Sequence, residues 1–504
     1  MLAVFLLAMS GLSQDAASVL PPTKPLRFEV VHDGSFGETL QGRLYVMLTQ
    51  RPMPPIGGPN WFNPEPFFAI EVENWKAGET IVVGDDATGM TGPPSTVPTG
   101  NWRAQALLRR HPDFARLVAP GAIHSEVIPF EGGGADAGTV SLPLRTQVPE
   151  RTWKPHDRLR LVEERSELLS DFHGRDVMHG ACVVVPKNYD PDREEPYPVL
   201  YWIGGFGSDH YGGRFMKSLF SASPYEDEIA RVILNAQCYG GHHVFADSEN
   251  NGPRMTALLE EFIPLLEEQY NLGGSGNNRF VAGHSSGGWA AMWLAVEAPN
   301  AFNGFWPLAP DPLGFGAFQT ADLYAEDANI LFYPDGTPRP VARAGETPIL
   351  FMPGFVAMEN VIGEGGQMRS FEWVFSPRGE DGKPVPMFDH ETGVVDSEVV
   401  GHWKHYDIQR RLADEWETLS PALRGKVNIV AGGMDTFYLE KPVIELKEFF
   451  KEKGFDADVR VIEGGDHGSV MNTRLMLQID DGIMARLTGD MASSLPATPA
   501  SSTQ

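Results

Sequence analysis

Cysteine is almost missing from this chain: Cys182 and Cys238 are the only two in 504 residues. That excludes a disulfide framework and any thiolate-rich metal site. One bridge and two buried thiols both remain open for the pair. Basic residues are also short in supply. Forty Lys and Arg stand against 67 Asp and Glu, a net charge of −27. Nucleic acids and anionic membranes are held by clustered cations, so neither is an expected partner. Long apolar runs are lacking too, apart from Met1 to Leu12 at the start. That run is too short to span a bilayer and fits the apolar part of a secretory signal, read here as residues 1–17. It departs from the pattern in having no Lys or Arg, and the competing reading is a frayed apolar terminus. No cysteine follows it to carry a lipid anchor. The expectation is a secreted or periplasmic protein with no membrane span.

What is present is globular: 42% of residues are hydrophobic and 21% charged, over a length that suggests two domains. From Leu26 onward, short segments alternate apolar with polar residues. Arg43 to Thr49, Phe67 to Trp75, Thr80 to Val83, Trp102 to Leu108 and Val140 to Leu144 all do so, with Gly, Pro and Asn between them. This predicts a β-sandwich over residues 25–150. Asp85, Asp86 and Asp136 near glycines read as solvated turns, because no calcium-loop repeat is present.

A charged stretch with Trp153-Lys154-Pro155 reads as a linker over 151–165. The pattern then changes. Apolar runs at Met178 to Val185, Tyr197 to Ile203, Arg231 to Asn235, Phe280 to Ala282, Lys426 to Val430 and Val459 to Ile462 read as buried strands. Helical spacing separates several of them, notably at Pro253 to Tyr270, Pro442 to Phe450 and Asn472 to Leu487. Strands alternating with helices mean a parallel sheet covered on both faces, an α/β domain over residues 166–490. Residues 302–423 interrupt the alternation, rich in Pro, Gly and aromatics. They read as an insertion that shapes a pocket over the sheet's C-terminal edge, the bland alternative being surface embellishment. Residues 491–504 read as a disordered tail.

The most informative stretch of the chain is Gly283-His284-Ser285-Ser286-Gly287, between the strand ending at Ala282 and a helix beginning at Ser286. A serine on such a strand–turn–helix junction projects above the sheet as a nucleophile, and the flanking glycines admit the close backbone approach. Ser286 is the poorer choice, because His284 stands where a glycine is needed. A serine needs a base, and the base needs an acid to hold it. Asp435 and His467 each follow a strand, separated by one helix and one strand, so their strand ends should be neighbours. The order Ser285, Asp435, His467 is that of α/β-hydrolases. The oxyanion calls for two backbone donors, expected at the amides of Ser286 and Phe206, the latter in Gly204-Gly205-Phe206-Gly207 after a strand. His284, His242, Asp311 and Glu359 are candidate substrate contacts. The adjacent His242 and His243 point in different directions, which disfavours a metal pair, and Asp389, His390, His402 and His405, which could look like a metal cluster, read as solvated residues of the insertion.

On these motifs, about Ser166 to Leu487 resembles the putative-esterase branch of the α/β-hydrolases, which includes esterase D, enterochelin-esterase-like proteins, feruloyl esterases and mycolyltransferases. The matching pieces are Tyr197-Pro-Val-Leu-Tyr before the Gly-rich loop, Gly-His-Ser-Ser-Gly-Gly, Gly-Gly-Met-Asp435 and Gly-Gly-Asp-His467-Gly. The resemblance implies a triad of Ser285, Asp435 and His467, carboxylic-ester hydrolysis or acyl transfer, and no cofactor; the expected partner is a small-molecule or glycan-linked ester, and no metal site is expected. Two features depart from it: Gly204-Gly205 stands where many relatives carry His-Gly, and the insertion is large. Two alternatives to an exported serine esterase are an acyltransferase to a sugar or glycan with the same triad, and a non-catalytic glycan-binding protein on a hydrolase scaffold.

Overall fold

The computed structural model describes residues 25–133 and 137–489. The expected signal segment and C-terminal tail lie outside the described residues. The chain opens with two β-sheets. One pairs Thr80–Val83, Arg27–Val31 and Thr139–Ser141; the other is built around Gly100–Arg109, Thr39–Thr49 and Phe67–Lys76. Alternation explains the arrangement. Phe28, Val30, Leu44, Val46, Phe68 and Trp75 all turn into one buried core between the sheets, each contributing roughly 1.5–3 kcal/mol by leaving water.

Tyr45 to Leu48 is buried on both faces. The second face of this sheet, with Tyr45, Met47, Phe67 and Leu107, packs against Met358, Val361 and Ile362 from far down the chain.

The larger part is an eight-stranded sheet: β1 (Leu159–Arg165), β2 (Met178–Val184), β3 (Val199–Ile203), β4 (Ala230–Leu234), β5 (Arg279–His284), β6 (Phe305–Leu308), β7 (Asn428–Gly432) and β8 (Asp458–Ile462). Its order is β1-β2-β4-β3-β5-β6-β7-β8. β2 is antiparallel to both its neighbours and the remaining pairs are parallel. Strands β3 to β5 are short runs of apolar residues because helices cover both faces. The helix after β5, α1 (Ser286–Glu297), is buried from Ser286 to Val296, which accounts for its lack of a polar face.

Two strands were not foreseen. Leu159–Arg165, expected as linker, is the edge strand β1. Its charges, Arg160, Glu163, Glu164 and Arg165, suit a sheet edge that must not pair with another chain. Phe305–Leu308, expected inside the insertion, is β6 in the sheet. Pro307 disguised it, since proline rarely occupies a central strand. Here the amides of Phe305 and Ala309 donate to Lys426 and Val430 on the β7 side, and Pro307, with no N–H, falls between them. The apolar run Ile349 to Met352 forms a separate hairpin, Pro340–Ala344 with Thr347–Phe351. Helices α2 (Met352–Ile362) and α3 (Gln367–Phe375) follow it. Past β7 come α4 (Glu440–Glu452) and, after β8, α5 (Thr473–Thr488).

Candidate active site

Ser285 occupies the turn between β5 and α1 with φ 59° and ψ −122°, a strained conformation for a residue with a side chain. The turn is packed too tightly for side chains on either flank. A Cβ on Gly283 would lie 2.0 Å from the Gly287 carbonyl oxygen, and one on Gly287 would lie 2.0 Å from that of Ile203. The Ser285 amide donates to Leu308 on β6 (2.9 Å) and its carbonyl accepts from Trp289 (3.0 Å), so neighbouring strand and helix both hold the turn.

Asp435 and His467 follow the adjacent strands β7 and β8. The His467 Nδ1 donates to Asp435 Oδ2 at 2.7 Å, which leaves Nε2 as the nitrogen able to accept a proton. Asp435 is fully buried, and its other oxygen accepts from the Phe437 amide at 2.8 Å. Two neighbours hold His467. His284 Nε2 donates to its carbonyl oxygen (3.0 Å), and the Phe437 ring stands edge-on at 5.0 Å. Burial and then the nearby His467 push the His284 imidazole down to about 4, so His284 acts here as a neutral donor.

Ser285 Oγ donates to Asp311 Oδ1 (3.4 Å) and, among the described residues, makes no hydrogen bond to His467. Asp311 lies just past β6. It is 4% exposed and also accepts from Ser286 Oγ (2.6 Å) and Gln367 Nε2 (3.3 Å). Burial raises its carboxyl to about 6, against the lowering effect of the Ser286 bond. The sequence offered Asp311 only as a candidate contact that no motif fixes, and gave no sign of Gln367, the first residue of α3. No periodicity or motif links residues 285, 311 and 367; only the fold does.

The loop after β3 passes beside the serine: a Cβ on Gly205 would sit 2.9 Å from the Ser285 Cβ. Among the described residues, the Phe206 and Ser286 amides have no hydrogen-bond acceptor. The loop is tied down from outside. His242 Nε2 donates to the Gly204 carbonyl (2.9 Å), Gln237 Nε2 to that of Ser208 (3.0 Å) and Arg116 Nη2 to that of Gly207 (2.5 Å).

Two expected substrate contacts lie elsewhere. His242 is 1% exposed, with Nδ1 accepting from the Val244 amide (3.1 Å). Both ring nitrogens are therefore used inside the protein, and burial pushes the imidazole down to about 4. Glu359, also 1% exposed, accepts from the Met368 and Arg369 amides (3.0 and 3.2 Å). It caps the start of α3, where unpaired amides favour a carboxylate, instead of facing a ligand. Cys182 and Cys238 are both buried free thiols. His402 and His390 pair with Glu249 and Glu372 respectively.

The strand order with its second strand reversed, and the strained serine turn after β5, define an α/β-hydrolase fold. Within it, residues 178–322 match the model of the family described as Putative esterase, so the expected resemblance is found over the segment from β2 past the serine turn. Three solved structures are similar to the chain. A ferulic acid esterase is 15% identical, with 65% of this chain and 99% of that one covered and a TM-score of 0.40. An S-formylglutathione hydrolase from Agrobacterium tumefaciens is 14% identical, with 67% and 98% covered and a TM-score of 0.41. The fluorophosphonate-binding serine hydrolase F of Staphylococcus aureus is 15% identical, with 65% and 98% covered and a TM-score of 0.37. No curated protein matches the chain. Among the described residues no helix is long and apolar enough to cross a membrane.

Proposed function

We propose that the chain is a serine-dependent carboxylic ester hydrolase that works through an acyl-enzyme on Ser285. The observation that carries this is the 2.7 Å contact of His467 with buried Asp435, at strand ends beside a serine on a strained turn. In the proposed cycle Ser285 Oγ turns from Asp311 to His467 Nε2 and gives up its proton as it attacks the ester carbonyl. The Asp435 carboxylate holds the imidazole tautomer and stabilises the imidazolium that forms. The Phe206 and Ser286 amides receive the oxyanion, aided by the positive end of α1. His467 then protonates the leaving alcohol, and a water activated by the same imidazole releases the acid. Catalytic hydrogen bonds are often long in an empty site and tighten with substrate, in keeping with the serine resting on Asp311.

The substrate class proposed is a small-molecule or glycan-linked ester. Export is proposed from the apolar run Met1 to Leu12; finding the full-length, uncleaved protein in the cytosol of its native cell would refute it. The function is tested by fluorophosphonate labelling with p-nitrophenyl acetate turnover, using Ser285→Ala as control. Labelling at Ser285 and turnover that the variant loses are expected. An unlabelled protein with a background rate equal to the variant's would overturn the proposal.

A further inference from the structure

Away from the serine, a cleft of about 540 Å³ opens between the N-terminal sheets and the α/β part. Its walls carry six arginines. Arg43, Arg109 and Arg110 come from the first part, and Arg175, Arg254 and Arg378 from the second. Among the described residues, three carboxylates, Glu71, Glu73 and Asp113, line the same space. In a chain of net charge −27, this is a local reversal of sign.

Two of the carboxylates are already engaged. Arg43 pairs with Glu71 at 2.5 Å. Arg175 holds Asp113 through two bonds of 2.7 and 2.9 Å. The decisive groups are the two buried ones among the four arginines left over. Arg254 is 6% exposed and Arg109 4% exposed, and neither has a carboxylate within ion-pair distance among the described residues. Arg254 donates only through Nε, to the Asn251 carbonyl at 2.9 Å. Arg109 donates to carbonyl oxygens of Phe114, Tyr239 and Glu364 and lies over the Tyr239 ring at 4.8 Å, and its Nε has no hydrogen-bond partner among the described residues. Beside them His173 Nε2 is also buried without a hydrogen-bond partner among the described residues.

Charged side chains are almost never this buried without a counter-charge, because desolvation of each ion costs several kcal/mol. The guanidinium fork matches the oxygens of a carboxylate or phosphate. The volume lies within the range of small-molecule sites, roughly 300–1,000 Å³, and exceeds what one inorganic oxyanion would fill. We infer that this cleft is a binding site for a small organic anion, which presents a phosphate or carboxylate group to Arg254 and Arg109. The exposed Arg110 and Arg378 stand at its mouth and attract the ligand. Both parts of the chain contribute arginines, so an occupant clamps them together. Trp373 on the cleft wall belongs to α3, whose first residue, Gln367, reaches Asp311 beside the serine.

The test uses the full-length protein and needs no esterase activity. Calorimetry and thermal unfolding are followed while inorganic phosphate, citrate and a hexose phosphate are added separately, with sodium chloride at equal ionic strength as reference. Saturable binding by at least one of the three is expected, with the melting temperature raised several degrees beyond the chloride effect. The tighter of phosphate and citrate identifies the group recognised. Arg254→Met should melt no lower than wild type without ligand, because a buried charge is gone, and should bind at least tenfold more weakly. Arg110→Ala, at an exposed position, should weaken binding several-fold with folding unchanged. The inference fails if none of the anions acts beyond chloride, or if Arg254→Met binds as wild type does. Should Arg254→Met not fold, unchanged affinity in Arg110→Ala overturns it.

Discussion

Ser285 is held in a backbone conformation, φ 59° and ψ −122°, that costs on the order of 1–3 kcal/mol. Its surroundings over-determine it, through the glycine contacts on either side and the bonds to Leu308 and Trp289. The proposed roles make different demands on its neighbours. Asp435→Asn keeps the shape but offers His467 Nδ1 a donor face or the wrong tautomer, and kcat for p-nitrophenyl acetate should fall about 10⁴-fold; a fall of less than tenfold would remove Asp435 from the mechanism. Asp311 gives a pH signature. Burial raises its carboxyl from 3.8 to about 6. Between these values the folded protein keeps a proton that the unfolded chain has released. Stability from this group is therefore present at pH 4 and is lost as pH rises to about 6. A rise of that size corresponds to about 3 kcal/mol. Asp311→Asn cannot ionise, so it should gain up to about 3 kcal/mol on wild type between pH 4 and pH 7 in urea unfolding. An equal difference at both pH values would count against the buried carboxyl.

At the scale of elements, the loop after β3 shows how a short Gly-rich turn is brought against the serine. Its glycines allow the approach to Ser285, but its position is set by His242, Gln237 and Arg116. Arg116 belongs to the N-terminal part and also pairs with Asp209 at 3.4 Å. Arg116→Ala should lower kcat about tenfold with little change in KM, since a displaced amide weakens transition-state binding more than ground-state binding. Steady-state kinetics with equal kcat would show that the loop holds its own position. The glycines, the serine turn and the strands β2 to β5 were readable because each is local: an apolar run, a turn chemistry, a helix start. β1 and β6 were not readable. Charges on β1 serve the sheet edge, and Pro307 leaves one rung missing from the β6–β7 ladder, between the bonds donated by Phe305 and Ala309.

At the scale of the whole molecule, the N-terminal sheets and the α/β part share a seam. Tyr45, Met47 and Leu107 meet Met358, Val361 and Ile362 there, and Tyr45 Oη donates to the Ile362 carbonyl at 2.6 Å. Ile362→Asp would place a carboxylate in that apolar contact and should cost about 3–5 kcal/mol. A lower melting temperature of the full chain is the expected readout, and an unchanged one would mean that the seam adds nothing to stability. The amino-acid sequence by itself determined the α/β class, the serine turn and the chain order of Ser285, Asp435 and His467, because spacing, periodicity and turn residues are local properties. It also carried the alternation of the N-terminal strands. Tertiary structure alone decided that His242 and Glu359 serve the interior, that Asp311 meets Ser285 and Gln367 meets Asp311, and that six arginines from two parts of the chain face one cleft. Those outcomes depend on contacts between residues tens to hundreds of positions apart, and such contacts leave no period or motif in the chain.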